Sequence, residues 1–122
     1  MKSEISFEKK EGYLSVTISG KHNKIEFISY AKIIRDKCEK ENIYKVLFNG
    51  LDVKETNLSK LDKYFIGIEF ANVFKNTIKI VYVLPKKDLD GFSGIVASNR
   101  VTKMKGFSDL DSAKRWLFNT MV

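Results

Sequence analysis

The chain has 122 residues, of which 43% are hydrophobic and 30% are charged, a composition typical of one soluble globular domain. Its formal net charge is +7, but lysine is spread along the whole chain and arginine occurs at three positions, which does not favour a nucleic-acid interface. No apolar run is long enough to cross a membrane, no secretory signal is readable at the amino terminus, and one cysteine cannot form an internal disulfide. We therefore expect a single cytoplasmic domain over residues 1–122 that neither enters a membrane nor binds nucleic acid.

The first third of the chain predicts a hairpin, a helix and a strand. Apolar residues alternate with polar ones over residues 4–8 and again over 13–19, which is the pattern of a β-hairpin with one buried face. Apolar side chains then recur at helical spacing and predict an amphipathic helix over residues 24–41. The apolar run 46–48, stopped by Asn49 and Gly50, predicts a central strand covered on both faces.

A second helix is predicted to begin after Ser59, because Ser59 and Asp62 have the spacing of a capping box. Its predicted buried stripe consists of Leu58, Leu61, Phe65 and Ile68, widened by Tyr64 and Ala71. Phe70 and Phe74 lie off this stripe. They form either an exposed apolar ridge, suited to a ligand or a homodimer contact, or, as we favour, part of a wide buried face.

The remaining segments continue the alternation of strand and helix. A covered strand over 78–84 ends at Pro85, and a weaker helix follows from Asp88, interrupted by Gly91 and Gly94. Residues 102–107 predict an edge strand, and a capping signal at 108–111 starts a last helix over 109–119, with Leu110, Ala113, Leu117 and Met121 inward. This order predicts an α/β fold with a mixed, mainly parallel five-stranded sheet and four helices.

The order of elements and the closing stretch KGFSDLDSAKRWL, residues 105–117, preceded by Asn99-Arg100, resemble the SpoIIAA-like group of STAS domains, which are bacterial regulators. In that group a last strand ending in Phe commonly leads through a short acidic turn into an Ala-x-x-Trp-Leu helix. These are packing motifs, so Trp116 is first of all a core anchor. The resemblance implies the fold more firmly than an activity.

STAS domains that antagonise anti-sigma factors carry a phosphorylatable serine just after the central strand. The resemblance therefore points to Ser59, which has a comparable position, although the Asp-Ser-Ser-Gly-like motif of the group is missing here. A phosphate at a helix amino terminus is stabilised by unpaired N–H groups, and Lys54 and Lys60 are close in sequence. The simpler alternative is that Ser59 is an ordinary N-cap.

We expect a non-enzymatic regulatory or adaptor module that needs no cofactor and no metal. His22 and Cys38 are the only histidine and cysteine, too few for a zinc site and poorly placed for a nucleophile pair. A protein partner would bind at loops that follow the strands, over residues 50–59 and 85–94. The alternative is a carrier of an apolar or anionic, lipid-like ligand in a pocket beside the third helix, with Phe92, Lys86 and Arg100 at its mouth. The predicted partner or ligand surface comprises Asp52, Lys54, Thr56, Lys86, Lys87, Phe92 and Arg100.

Overall fold

The computed structural model describes residues 4–54, 58–75, 77–89 and 103–118. Thr56, Phe92, Arg100 and Met121, for which the sequence predicts roles, lie outside these residues, as do Gly91 and Gly94. The strands are β1 (Glu4–Lys10), β2 (Tyr13–Gly20), β3 (Lys45–Val53), β4 (Lys79–Val83) and β5 (Lys103–Phe107). The helices are α1 (Lys24–Glu41), α2 (Lys60–Phe74), α3, which is described over residues 86–89, and α4 (Leu110–Phe118).

The five strands form one mixed sheet in the order β1-β2-β3-β4-β5. β1 pairs antiparallel with β2 through a turn at Glu11 and Gly12, and the other three pairings are parallel. The predicted hairpin and the mainly parallel sheet are therefore confirmed. The strand order follows the chain order, which leaves β1 and β5 at the two edges of the sheet.

This strand order determines which face of the sheet each helix covers. Each parallel crossover steps to the next strand in the same direction, and crossovers are right-handed, so α1, α2 and α3 lie on one face. Their apolar side chains pack on β1–β5 in the larger core cluster, which includes Ile34, Phe70 and Leu89. α4 follows the last strand and packs on the opposite face in a smaller cluster around Val81, Val83 and Leu117.

The buried face of α2 differs from the predicted stripe. Leu61, Tyr64 and Phe65 are exposed, so this part of the prediction is wrong. Apolar residues surround the helix, and two stripes compete, so spacing alone does not select the buried one. The inward face consists of Ile66, Gly67, Phe70, Ala71 and Phe74. Phe70 and Phe74 thus belong to a buried face, with their rings perpendicular and their centroids 5.5 Å apart.

β3 does not stop at Asn49 and Gly50, as the sequence predicted, but continues to Val53. The pairing of β2 with β3 shifts register between Thr17 and Ser19, which gives β3 an extra residue in a β-bulge. The Asn49 side-chain oxygen accepts from the Leu51 N–H at 3.1 Å inside this irregular stretch. A Cβ at Gly50 would lie 2.7 Å from Leu84 Cδ2 and 3.3 Å from the Val83 carbonyl oxygen, so a larger residue there would have to displace the Leu84 side chain.

The last two helices begin one or two residues away from their predicted starts. α3 begins at residue 86, directly after Pro85, rather than at Asp88. α4 is capped by Asp109 and not by Ser108, since the Asp109 carboxylate accepts from the Ser112 N–H at 2.8 Å. Leu110 is half-buried and Ala113 and Leu117 are buried, as predicted. Trp116 is only half-buried and packs at the edge of the smaller cluster.

Candidate functional site

His22 is a buried member of the core and not a surface group. Its Nε2 lies 2.7 Å from the Ser19 carbonyl oxygen, and its Nδ1 lies 2.6 Å from the Tyr30 hydroxyl. A carbonyl oxygen only accepts, so Nε2 donates to Ser19; in the tautomer protonated at Nε2 alone, Nδ1 accepts the Tyr30 hydroxyl hydrogen. Burial, followed by the charge of Glu26, raises the pKa of Tyr30 to about 12, which keeps that hydroxyl protonated and able to donate.

The Cys38 thiol is also buried and is not exposed to react. It lies on the inner face of α1, is fully buried, and belongs to the larger core cluster. Burial, followed by the charge of Glu39, raises the pKa of its thiol to about 11, so little thiolate forms near neutral pH. Among the described residues, no three His, Cys, Asp or Glu side chains lie together in a way that could hold a metal ion.

The carboxyl ends of β2 and β3 carry part of the predicted surface. Asp52 is an exposed residue near the end of β3, where it pairs with Ser19 of β2. The exposed residue Lys54 follows β3, and its backbone N–H donates to the Gly20 carbonyl oxygen at 2.8 Å. This bond holds the ends of the two strands side by side. Asp52 and Lys54 therefore present their side chains from a fixed backbone.

Ser59 is the N-cap of α2. Its hydroxyl oxygen accepts from the Asp62 N–H at 3.0 Å, and the Asp62 carboxylate accepts from the Ser59 N–H at 3.1 Å. This reciprocal pair is the capping box that the sequence predicted. Ser59 is exposed, so the cap role leaves its hydroxyl open to solvent. The exposed residue Lys60 follows directly in the first turn of the helix.

Large apolar side chains are exposed beside this cap. On α2 they are Leu61, Tyr64 and Phe65, with exposed fractions of 61%, 46% and 42%, and on α1 it is Ile25, at 78%. We call these four residues the apolar face. Lys24, the neighbour of Ile25, joins the two helices, since its Nζ lies 3.8 Å from an Asp62 carboxylate oxygen and 4.9 Å from the centre of the Phe65 ring.

The sequence did not identify the apolar face, although it contained one signal. α2 has apolar residues around its whole circumference, whereas a helix with one face in solvent normally carries polar residues there. The sequence prediction assigned Leu61, Tyr64 and Phe65 to the core, so it left none of these three residues of α2 to suggest an exposed apolar surface. Ile25 follows a polar cap and Lys24, and a single apolar residue in that position carries no information by itself.

The other predicted residues follow β4 on the same side of the sheet. Lys86 and Lys87 are exposed at the start of α3. β4 leads into α3 on one face and β5 leads into α4 on the other, and the Leu84 N–H donates to the Phe107 carbonyl oxygen at 3.1 Å between them. The structure thus places five of the predicted residues at the carboxyl ends of the parallel strands: Asp52, Lys54, Ser59, Lys86 and Lys87.

A cleft of about 420 Å³ lies at the opposite end of the parallel strands, where these strands begin. Gly12, Asn42, Ile43, Tyr44, Lys45, Thr77 and Lys79 line it. The Lys79 ammonium donates to the Trp116 carbonyl oxygen at 2.8 Å and lies over the Trp116 ring, so it supports the packing of α4. This cleft is distinct from the pocket predicted beside the third helix. None of the helices in the described part of the chain is long and apolar enough to span a membrane.

The sequence matches no protein-family model and no curated protein. The structure, in contrast, is similar to an uncharacterized protein of the DUF3478 family from Shewanella loihica PV-4, described as having a SpoIIAA-like fold. That likeness covers 94% of this chain and 93% of the other, with a TM-score of 0.56 and 16% sequence identity. The chain has the SpoIIAA-like fold. The structure is also similar to an anti-sigma factor antagonist from Mycobacterium paratuberculosis, with a TM-score of 0.64, 10% identity and coverage of 97% of this chain and 96% of the other.

These likenesses confirm, for the fold, the resemblance that the sequence predicted from the order of elements and residues 105–117. At 16% and 10% identity they concern the architecture alone. Function therefore has to be argued from the surface of this chain.

Proposed function

We propose that this protein is a regulatory module that acts by binding a protein partner through the apolar face, Ile25, Leu61, Tyr64 and Phe65. The observation that carries the proposal is the exposure of four large apolar side chains on the first turns of two adjacent helices. Exposed large apolar side chains are typical of protein contacts, and aromatic residues are enriched at the centres of such contacts. The exposed residues Ser59 and Lys60 directly precede Leu61 and supply polar groups of the kind found around such contacts.

Binding rather than catalysis is supported by the positions of the reactive side chains. His22 and Cys38 are both in the core, where each serves packing or internal hydrogen bonds. Asp62 and Asp109 cap helices. The likeness to an anti-sigma factor antagonist, a protein named for acting on another protein, agrees with a docking role.

Ser59 supplies a point at which such docking could be regulated. Its exposed hydroxyl lies in the same first turns of α2 as Leu61 and Tyr64. Phosphorylation there would place about two negative charges beside the apolar face, near Lys60 and the amino end of the helix. The charge would change the affinity of a partner without a change of fold. We include this phospho-switch in the proposal.

Two tyrosines allow a matched test of the docking surface. Tyr64 is 46% exposed on the apolar face. Tyr44 is 40% exposed and lies directly before β3, at the end of the sheet where the parallel strands begin. A photo-crosslinking amino acid would replace each in turn in the source cells. We expect discrete protein adducts from position 64, and their loss when Leu61→Asp is added. Equal adducts from both positions, or adducts that persist with Leu61→Asp, would exclude this face as the docking surface.

The carrier alternative is less well supported by the described residues, because Phe70 and Phe74 do not form the exposed apolar ridge that could hold a ligand. Phe70 and Phe74 fill the core, with the Phe70 ring perpendicular to that of Phe48 at 6.0 Å. Phe65 lies on the surface. Native mass spectrometry of protein taken directly from its source cells separates the two functions. A bound small molecule on most of the protein would favour the carrier, and a protein complex would favour docking.

A further inference from the structure

β1 is an edge strand, and the backbone groups of three of its seven residues face away from the sheet. It pairs with β2 from Glu4–Ser19 to Lys10–Tyr13, around a turn of two residues. In such a hairpin the residues flanking the turn exchange both hydrogen bonds, and bonded pairs then alternate along the ladder. Lys10, Glu8, Ser6 and Glu4 therefore bond to β2. The N–H and C=O groups of Ile5, Phe7 and Lys9 point outward from the edge of the sheet.

We propose that a second copy of this chain pairs with this edge, so that two β1 strands lie antiparallel and the two sheets join into one of ten strands. In a two-fold pairing centred on Phe7, Phe7 lies opposite Phe7 of the second copy and Ile5 lies opposite Lys9. All three outward-facing residues of each strand then form bonded pairs. No other antiparallel register that pairs outward residues uses all three.

The charges of β1 favour the same register. Centred on Phe7, it places Glu4 opposite Lys10 of the second copy twice, and places Ser6 opposite Glu8. Opposite charges across an antiparallel pair stabilise it, and like charges destabilise it. Shifting the centre by one residue to Ser6 puts Glu4 opposite Glu8 twice, and shifting it to Glu8 puts Glu8 opposite Glu8. Among the registers that pair outward-facing residues, only the one centred on Phe7 pairs all three of these residues and also avoids opposed like charges.

The side chains along the edge also suit this partner. Ile5 and Phe7 are half-buried and pack on the larger core cluster, so a second sheet would cover their remaining exposed surface. Glu4, Ser6, Glu8 and Lys10 are exposed on the other face. The contact is one strand long, so we expect an association that depends on protein concentration. It lies on β1, apart from the apolar face on α1 and α2, and does not depend on the proposed function.

Charge reversal tests the pairing through its symmetry. Glu4→Lys creates two opposed lysine pairs in the dimer, and Lys10→Glu creates two opposed glutamate pairs. Each variant alone should dissociate at least about tenfold more readily than the original chain in sedimentation equilibrium. A mixture of the two restores both opposite-charge pairs and should form a heterodimer. Glu39→Lys, which makes the same charge change at an exposed position on α1, is the control and should leave association unchanged.

A backbone variant tests the edge independently of charge. Lys9 is exposed and its N–H points outward, so Lys9→Pro removes an edge donor without removing a bond to β2. We expect this variant to keep a thermal unfolding midpoint close to that of the original chain and to lose self-association. A chain that is monomeric at every concentration would overturn the proposal. So would a dimer that both charge variants leave intact, or a folded Lys9→Pro protein that still dimerises.

Discussion

The imidazole of His22 and the hydroxyl of Tyr30 lie 2.6 Å apart inside the core and connect the segment after β2 to the second turn of α1. Through its other nitrogen, His22 also holds the Ser19 carbonyl oxygen at 2.7 Å. The only histidine of the chain is thus a structural crosslink between the sheet and its first helix. Both ring nitrogens have partners inside the core, so neither is directed towards the surface.

Removing the Tyr30 hydroxyl should therefore destabilise the fold. Tyr30→Phe leaves His22 Nδ1 buried without its hydrogen-bond partner, which costs about 1–3 kcal/mol in the free energy of unfolding. Tyr44→Phe is the matched control, because Tyr44 is 40% exposed and water can replace any partner of its hydroxyl. Urea unfolding of both variants measures the difference. Equal stability of the two would show that the His22–Tyr30 bond contributes nothing.

Alkaline pH should weaken the fold in a defined range. The pKa of Cys38 is raised from 9.0 to about 11 and that of Tyr30 from 10.0 to about 12, in both cases chiefly by burial. In the unfolded chain these groups lose their protons at the lower values, so stability is fully present below about pH 9 and is lost as the pH rises towards 12. Cys38→Ala should flatten the part between pH 9 and 11. A thiol reagent at neutral pH should label Cys38 only after unfolding.

The sequence predicted the architecture well because its strongest signals are local and unambiguous. The alternation of Leu14, Val16 and Ile18 fits a strand and no other element, and all three residues are fully buried. The capping box at Ser59 has one structural meaning and was confirmed atom for atom. The strand order also follows from short right-handed crossovers once the elements are known.

The candidate site could not be predicted in the same way, because it depends on how α2 is rotated. A helix with apolar residues on all sides can bury either of two stripes, and only its neighbours decide between them. Phe70 packs against Phe74 and against Phe48 of β3, and this orientation of α2 turns Leu61, Tyr64 and Phe65 towards solvent. That choice is a tertiary contact, and no spacing rule within residues 60–74 contains it.

Two serines with similar sequence signals should respond differently to truncation. Ser59 caps α2, so Ser59→Ala should lower the free energy of unfolding by about 1 kcal/mol, and Ser59→Asp should keep most of it. Ser108 precedes the true cap of α4, Asp109, so Ser108→Ala should be close to neutral. Chemical denaturation of the three variants provides the comparison. If Ser59→Ala and Ser59→Glu also bind a partner equally well, phosphorylation of Ser59 does not regulate docking.

Asp109 should make α4 sensitive to acid. The Asp109 carboxylate accepts a hydrogen bond from the Ser112 N–H, and this bond holds the pKa of Asp109 below its usual 3.8. Because the folded pKa is the lower one, the stabilisation is present above pH 3.8 and is lost as the pH falls through the folded value. Asp109→Asn keeps a capping oxygen without the charge, so its stability should change less between pH 5 and 3. Parallel pH dependences of the two proteins would contradict the assignment of the cap.

A side chain at Gly106 in β5 should destabilise the fold, although Gly106 lies in an edge strand. A Cβ at this position would overlap the ring of Tyr82 on β4 and the side chain of Leu89 on α3. The Tyr82 ring is buried in the larger core cluster and cannot move without opening that cluster. Gly106→Ala should therefore lower the free energy of unfolding by about 1–3 kcal/mol, the usual cost of overpacking. Lys105→Ala, at the exposed neighbouring position, is the control and should change stability by less than about 0.5 kcal/mol. Since the overlap is with Tyr82, adding Tyr82→Leu should recover part of the loss, and a simple sum of the two single effects would show that these side chains do not compete for the same space.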